Sequence, residues 1–166
     1  MLDPSSKAML LYNMARTYSR AGNCDKGMEL LLKAFNTGLC CFEKLEKDES
    51  FEALRADRRF LNLIEAAKLV HYTLELEESE PESELLVSSM EKACELSPAY
   101  AYSFFLLARL YAGRSLPDKA IASLRKAVDL GYKNFCAIVG DKAFSALRAK
   151  EEFKSLFRKQ AVEKPD

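Results

Sequence analysis

The chain has 166 residues, with 25 Lys plus Arg against 25 Asp plus Glu, and 49% of its residues are hydrophobic, enough for the core of one domain. The formal net charge of zero argues against a general nucleic-acid binder and against a polybasic membrane-surface anchor. The most apolar stretch, residues 99–112, is shorter than the ~20 residues of a spanning helix and contains Arg109, so no membrane role is expected.

From the N-terminus, Leu10, Leu11, Met14, Ala15 and Tyr18 recur at three- and four-residue steps, which predicts an amphipathic helix. Ala21-Gly22-Asn23 is a turn in which Gly22 takes the left-handed cap and Asn23 or Asp25 caps the next helix. Met28, Leu31, Leu32 and Phe35 mark that second helix, ended by Gly38. Short helices are predicted over 42–47 and 51–55, with Asp48 as an N-cap between them. A long helix follows over about 59–77, with Phe60, Leu63, Ile64, Ala67, Val70 and Leu74 inward. Residues 75–84, "ELEESEPESE", read as a solvated acidic loop. Leu86, Met90 and Ala93 line the next helix. Ser97-Pro98 is expected to start another, with Pro98 in the first turn, carrying Phe104, Phe105, Leu107, Ala108 and Tyr111. Residues 113–117 break it, and Ala120, Ile121, Leu124 and Ala127 line a further helix that ends at Gly131. Short helices like those of 42–66 close the chain over 135–159, with Asp141 as the corresponding N-cap.

That likeness is part of a duplication. "LRADRRF" at 54–60 returns as "LRAKEEF" at 147–153, 93 residues later. At the same offset, without a gap, Ala15, Arg16 and Tyr18 fall on Ala108, Arg109 and Tyr111. Leu31, Lys33, Ala34 and Gly38 fall on Leu124, Lys126, Ala127 and Gly131; Phe42, Asp48, Phe51 and Phe60 fall on Phe135, Asp141, Phe144 and Phe153. Identity spread this evenly means a duplicated structural unit rather than a catalytic heptapeptide.

The unit resembles the tetratricopeptide repeat, a hairpin of about 34 residues with an A-x2-Y pair in its first helix and an A-x3-[LF]-x2-A ladder in its second. Residues 101–134 carry Leu107, Ala108, Tyr111, Ala120, Leu124 and Ala127 at the family spacing, and residues 8–41 carry Met14, Ala15, Tyr18, Gly27, Leu31 and Ala34. Residues 67–100 match in Leu86, Met90, Ala93 and Pro98 but lack the signature of the first helix. The family's closing proline is absent from the first and third copies. Residues 42–66 and 135–160 resemble an extension that follows hairpins in some bacterial members of the family. The resemblance implies an all-α fold: a single domain over 1–166, a right-handed α-solenoid of about three hairpins (8–41, a degenerate 67–100, and 101–134), plus short extension helices. Leu2-Asp3-Pro4 reads like the repeat tail Leu96-Ser97-Pro98, as a chain cut from a longer array or a short start would.

In such arrays the first helices line a concave groove. The family pattern places Met9, Tyr12, Asn13, Arg16 and Arg20 there, then Lys68, His71, Tyr72 and Glu75, then Tyr102, Phe105, Leu106 and Arg109. Of these, Tyr12, Asn13, Arg16, Arg20, Lys68, Tyr72, Tyr102, Phe105 and Arg109 form the expected partner-binding set, since aromatics and arginines make good contact surfaces. The carboxylate clamp of heat-shock chaperone co-factors is not rebuilt, because Tyr12, Arg16, Tyr102 and Leu106 stand at its positions.

Little points to chemistry. His71 is the one histidine, and the six glycines form no phosphate loop. The five cysteines, Cys24, Cys40, Cys41, Cys94 and Cys136, have no metal-ligand spacing and read as free thiols of a cytoplasmic protein. No catalytic residue, metal or cofactor is expected. The expected function is a protein–protein interaction scaffold holding a peptide or helix in its concave groove, with a regulatory or substrate-docking fragment of a larger multidomain protein or enzyme, or a self-assembly module, as alternatives.

Overall fold

A computed structural model describes residues 3–37 and 42–158. Every element among them is helical. In chain order they are α1 (Pro4–Arg20), α2 (Cys24–Thr37), α3 (Phe42–Lys47), a first 3-10 helix (Glu49–Leu54), α4 (Arg58–Ser79), α5 (Leu85–Leu96), α6 (Ala101–Gly113), α7 (Pro117–Asp129), α8 (Phe135–Gly140), a second 3-10 helix (Lys142–Leu147) and α9 (Glu151–Arg158).

The ends of these helices follow from local chemistry. Asp3 caps α1 by accepting from the Ser5 and Ser6 amides, each at 3.0 Å, and Pro4 takes the first helical position, where a missing N–H costs nothing. The α1–α2 turn is a Schellman motif: Gly22 is left-handed at φ 78°, its N–H reaches the Ser19 carbonyl, and the Asn23 N–H reaches the Tyr18 carbonyl. Asn23 then caps α2 by accepting from the Lys26 amide at 3.1 Å. Asp48 and Asp141 cap the two 3-10 helices, accepting from the Ser50 and Ala143 amides at 2.9 Å.

The densest packing pairs α1 with α2, α4 with α5, and α6 with α7. Small residues let the helices approach: Ala15, Ala34, Ala108 and Ala127 are fully buried, with Leu31 and Leu124 beside them. The first and third pairs also meet. Asn36 of α2 donates to the Ala99 carbonyl at 3.0 Å and accepts from the Ala101 amide at 2.8 Å, closing the N-terminus of α6, while Phe35 meets Tyr100 edge-on at 5.8 Å.

The long helix expected over about 59–77 is α4, which runs unbroken over Arg58–Ser79. Three details differ from the sequence reading. Residues 75–79 belong to α4, and only 80–84 form the acidic loop. The segment around 51–55 winds as a 3-10 helix. Ser97 and Pro98 lie in a turn before α6, where the Tyr100 amide bonds the Ser97 carbonyl at 2.9 Å; the helix begins at Ala101, where Asn36 supplies its cap.

Candidate protein-binding surface

The inner flank of α1 is occupied by the chain itself. The first 3-10 helix packs on α1 as the second packs on α6. Tyr12 is only 7% exposed, its ring 5.6 Å from that of Phe51, which continues to Phe60 at 5.9 Å. Its twin Phe105 is 5% exposed, stacked on Tyr132 at 4.6 Å and near Phe144 at 6.1 Å. Both residues, expected on a partner-binding face, are thus buried within the chain, Tyr12 beside Phe51 and Phe105 between Tyr132 and Phe144. Tyr102 is half-buried in the same aromatic group, 6.0 Å from Phe105 and 6.2 Å from Tyr132. Leu106 is buried.

The cations divide into paired and open. One turn beyond Tyr12, the Arg16 Nε lies 2.9 Å from an Asp48 oxygen and donates to the Ser50 hydroxyl at 3.3 Å; the Tyr12 hydroxyl donates to the same carboxylate at 2.8 Å. Burial pushes the Asp48 carboxyl up, but the Ser50 amide and hydroxyl, the Tyr12 hydroxyl and Arg16 together hold it below the ordinary aspartate range. Lys68 of α4 pairs with Glu46 of α3 at 2.6 Å, and this contact holds the lysine's pKa up. Arg109 of α6 pairs with Glu77 near the end of α4. Arg20 and Lys47 are exposed and have no ion-pair or hydrogen-bond partner among the described residues. Asn13 is also exposed. On α4, Tyr72 is 45% exposed, and His71 lies 3.6 Å from Glu75.

Arg16, Arg20, Lys47, Asp48, Glu49 and Ser50 line an open, polar hollow of about 590 Å³. Its walls come from α1, the end of α3 and the first 3-10 helix. The structure therefore joins Arg16 and Arg20 of the expected set in one site with Lys47, Asp48 and Ser50, which the sequence reading did not assign to it. The usable signal was the offset of 93: Tyr12 and Ser50 become Phe105 and Ala143 in the later copy. That change removes two hydroxyls from the same neighbourhood.

Lys68 and Tyr72 on α4, and Tyr102, Phe105 and Arg109 on α6, do not line the hollow. Among the described residues, no group of three or more His, Cys, Asp or Glu is arranged to hold a metal, and no helix is long and apolar enough to cross a membrane. Comparison with known proteins yields no matching family model, no matching curated protein and no matching solved structure.

Proposed function

We propose that this chain is a protein-interaction scaffold, a tetratricopeptide-like right-handed solenoid whose contact site for an acidic peptide segment is the hollow between α1 and the first 3-10 helix. The carrying observation is the open pair Arg20 and Lys47 beside an Arg16 already committed to Asp48. A carboxylate on the partner meets Arg20 and Lys47 without first separating an internal ion pair. Fork-like recognition by Arg20 supplies geometry, and Lys47 supplies charge. Asn13 is exposed one turn before Arg16 and Thr17, and its amide both donates and accepts. The paired cations Lys68 and Arg109 serve chiefly to join α4 to α3 and α6. The role is binding rather than catalysis. The three described cysteines, Cys24, Cys94 and Cys136, are free thiols, in keeping with the cytoplasmic reading.

The test is an array of short acidic and neutral peptides probed with the wild type and with Arg20→Glu/Lys47→Glu, both checked for helicity by circular dichroism. Acidic peptides are expected to bind the wild type, to weaken with salt, and to lose at least about tenfold in affinity on the double variant. Equal binding by both proteins removes the hollow from consideration.

A further inference from the structure

The hollow holds one anion that the capture of a carboxylate does not explain. Glu49 lines it together with Arg20 and Lys47. Its side chain is exposed and, like theirs, has no ion-pair or hydrogen-bond partner among the described residues. The neighbouring Asp48 is committed to Arg16 at 2.9 Å, to the Tyr12 hydroxyl at 2.8 Å and to the Ser50 amide at 2.9 Å. Lys47 and Glu49 therefore flank an occupied carboxylate, and the uncommitted charges of the hollow are two positive and one negative. Other acids of the same stretch are paired: Glu46 with Lys68 and Glu52 with Arg55, each at 2.6 Å. Glu49 also stands in the first turn of its 3-10 helix, where a carboxylate is locally favourable. That local role does not account for an unpaired anion lining the same space as two unpaired cations.

We propose that Glu49 is a specificity-determining residue: it selects, among acidic segments, those with a cationic side chain within a few residues of the carboxylate that meets Arg20 and Lys47. This selection rests on the reading of the hollow as the contact site for an acidic segment, and it names which acidic segments the site takes. A purely acidic segment satisfies both cations but brings a like charge toward Glu49, inside the roughly 8 Å over which physiological salt leaves charges unscreened. A segment with Lys or Arg near its acid matches all three charges. Repulsion of the wrong partner contributes to selectivity as much as attraction of the right one. The groups are exposed, so each step is small, about threefold in affinity. At the offset of 93, Arg20, Lys47 and Glu49 become Gly113, Gly140 and Lys142, so the charge set of the hollow does not recur in the later copy.

The probes are peptides of equal length with one central Asp and one variable residue, Lys, Gln or Glu, placed one to four positions before or after it. Affinities are measured by fluorescence anisotropy for the wild type, Glu49→Gln, Glu49→Lys and the control Glu43→Lys, each checked for helicity by circular dichroism. Glu43 is an exposed acid of α3 that does not line the hollow. The wild type is expected to rank Lys over Gln over Glu at a restricted set of positions, about threefold per step. Glu49→Gln flattens this ranking, Glu49→Lys reverses it, and Glu43→Lys leaves it unchanged. A merely structural role for Glu49 lowers affinity for all the peptides alike without moving the ranking, and that result overturns the proposal. So does a ranking that Glu43→Lys also reverses, or one that is equal at every position, because either reports net charge rather than contact. If Asp peptides bind and Arg20→Glu/Lys47→Glu releases them while the ranking ignores Glu49, the selection by Glu49 falls and the site stands. If no Asp peptide binds the wild type, both fall.

Discussion

Asp141, which matches Asp48 at the offset of 93, supplies a control for the polar cluster at Asp48. Asp48 and Asp141 cap equivalent 3-10 helices with equivalent 2.9 Å bonds to a backbone amide. Only Asp48 also accepts from a tyrosine hydroxyl, at 2.8 Å, and meets an arginine, at 2.9 Å. Removing the cap alone costs about 1 kcal/mol, which is the whole expected cost of Asp141→Ala. Asp48→Ala costs that amount plus about 1.5 kcal/mol for the hydrogen bond from the mostly buried Tyr12 to a charged acceptor. The half-exposed Arg16 adds at most about 0.5 kcal/mol. Urea unfolding followed by circular dichroism at neutral pH should therefore show Asp48→Ala less stable than Asp141→Ala by about 2 kcal/mol. The gap has a defined pH dependence. The folded Asp48 carboxyl lies below its ordinary value, so its charge-linked stabilisation is fully present above the unfolded value of about 3.9 and is lost as pH falls through the folded value. The difference between wild type and Asp48→Ala should shrink on that acid limb and stay constant above about pH 5. Equal losses for the two alanine variants at neutral pH would refute the reasoning, since the Tyr12 and Arg16 contacts would then contribute nothing.

Two further predictions use the same offset. Ser115 stands where the first copy has Gly22 and is left-handed at φ 56°, in an identical Schellman arrangement that joins the Leu116 amide to the Tyr111 carbonyl. Ser115→Gly should therefore stabilise the protein by about 1 kcal/mol, and Gly22→Ala should destabilise it by a similar amount, both read as shifts in the urea midpoint. A Cβ added at Gly27 would lie 2.3 Å from the Ser19 hydroxyl, which is buried without a hydrogen-bond partner, while the later copy has Ala112 and Ala120 at these two places. Gly27→Ala alone is expected to destabilise, Ser19→Ala to be neutral or better, and the double variant to exceed wild type, a coupling of about 1 kcal/mol in a double-mutant cycle; additive effects would mean that the hydroxyl is not the obstacle.

The helices were legible because their apolar periodicity is strong and because glycine, asparagine and aspartate stand at their ends. The pairing of Tyr111 with Glu91, or of Asn36 with the start of α6, was not. Each bond joins groups far apart in sequence, and periodicity reports only which side of a helix is apolar. The same limit explains Tyr12 and Phe105. An aromatic one turn before an arginine reads equally well as a partner contact or as a seat for a later segment, and the later segment is 36 residues on in the case of Asp48. The start of α6 was misplaced for a related reason: Ser97-Pro98 has good local start chemistry, but the side chain that satisfies the first amide comes from α2. The long α4 was legible because no glycine or proline near position 66 divides its apolar pattern.

The two segments related by the offset of 93 also differ around the hollow. In the later copy, Phe105 stacks on Tyr132 and lies 6.1 Å from a tilted Phe144, and Arg109 pairs with Glu77 on the neighbouring helix. In the earlier copy, Tyr12 replaces Phe105 and Ser50 replaces Ala143, so the segment after α3 is held by hydroxyls and a carboxylate. Beside this polar seat lies the open hollow, and Arg20 and Lys47 line it. At the offset of 93 these two cations become Gly113 and Gly140. The later copy therefore lacks both the hydroxyls that shape the hollow and the charges that would fill it. Transplanting one group without the other, such as Gly113→Arg alone, would place a cation beside an aromatic stack rather than recreate the site. Among the described residues, the open hollow and the two cations without an ion-pair partner thus occur together at α1 and not at α6.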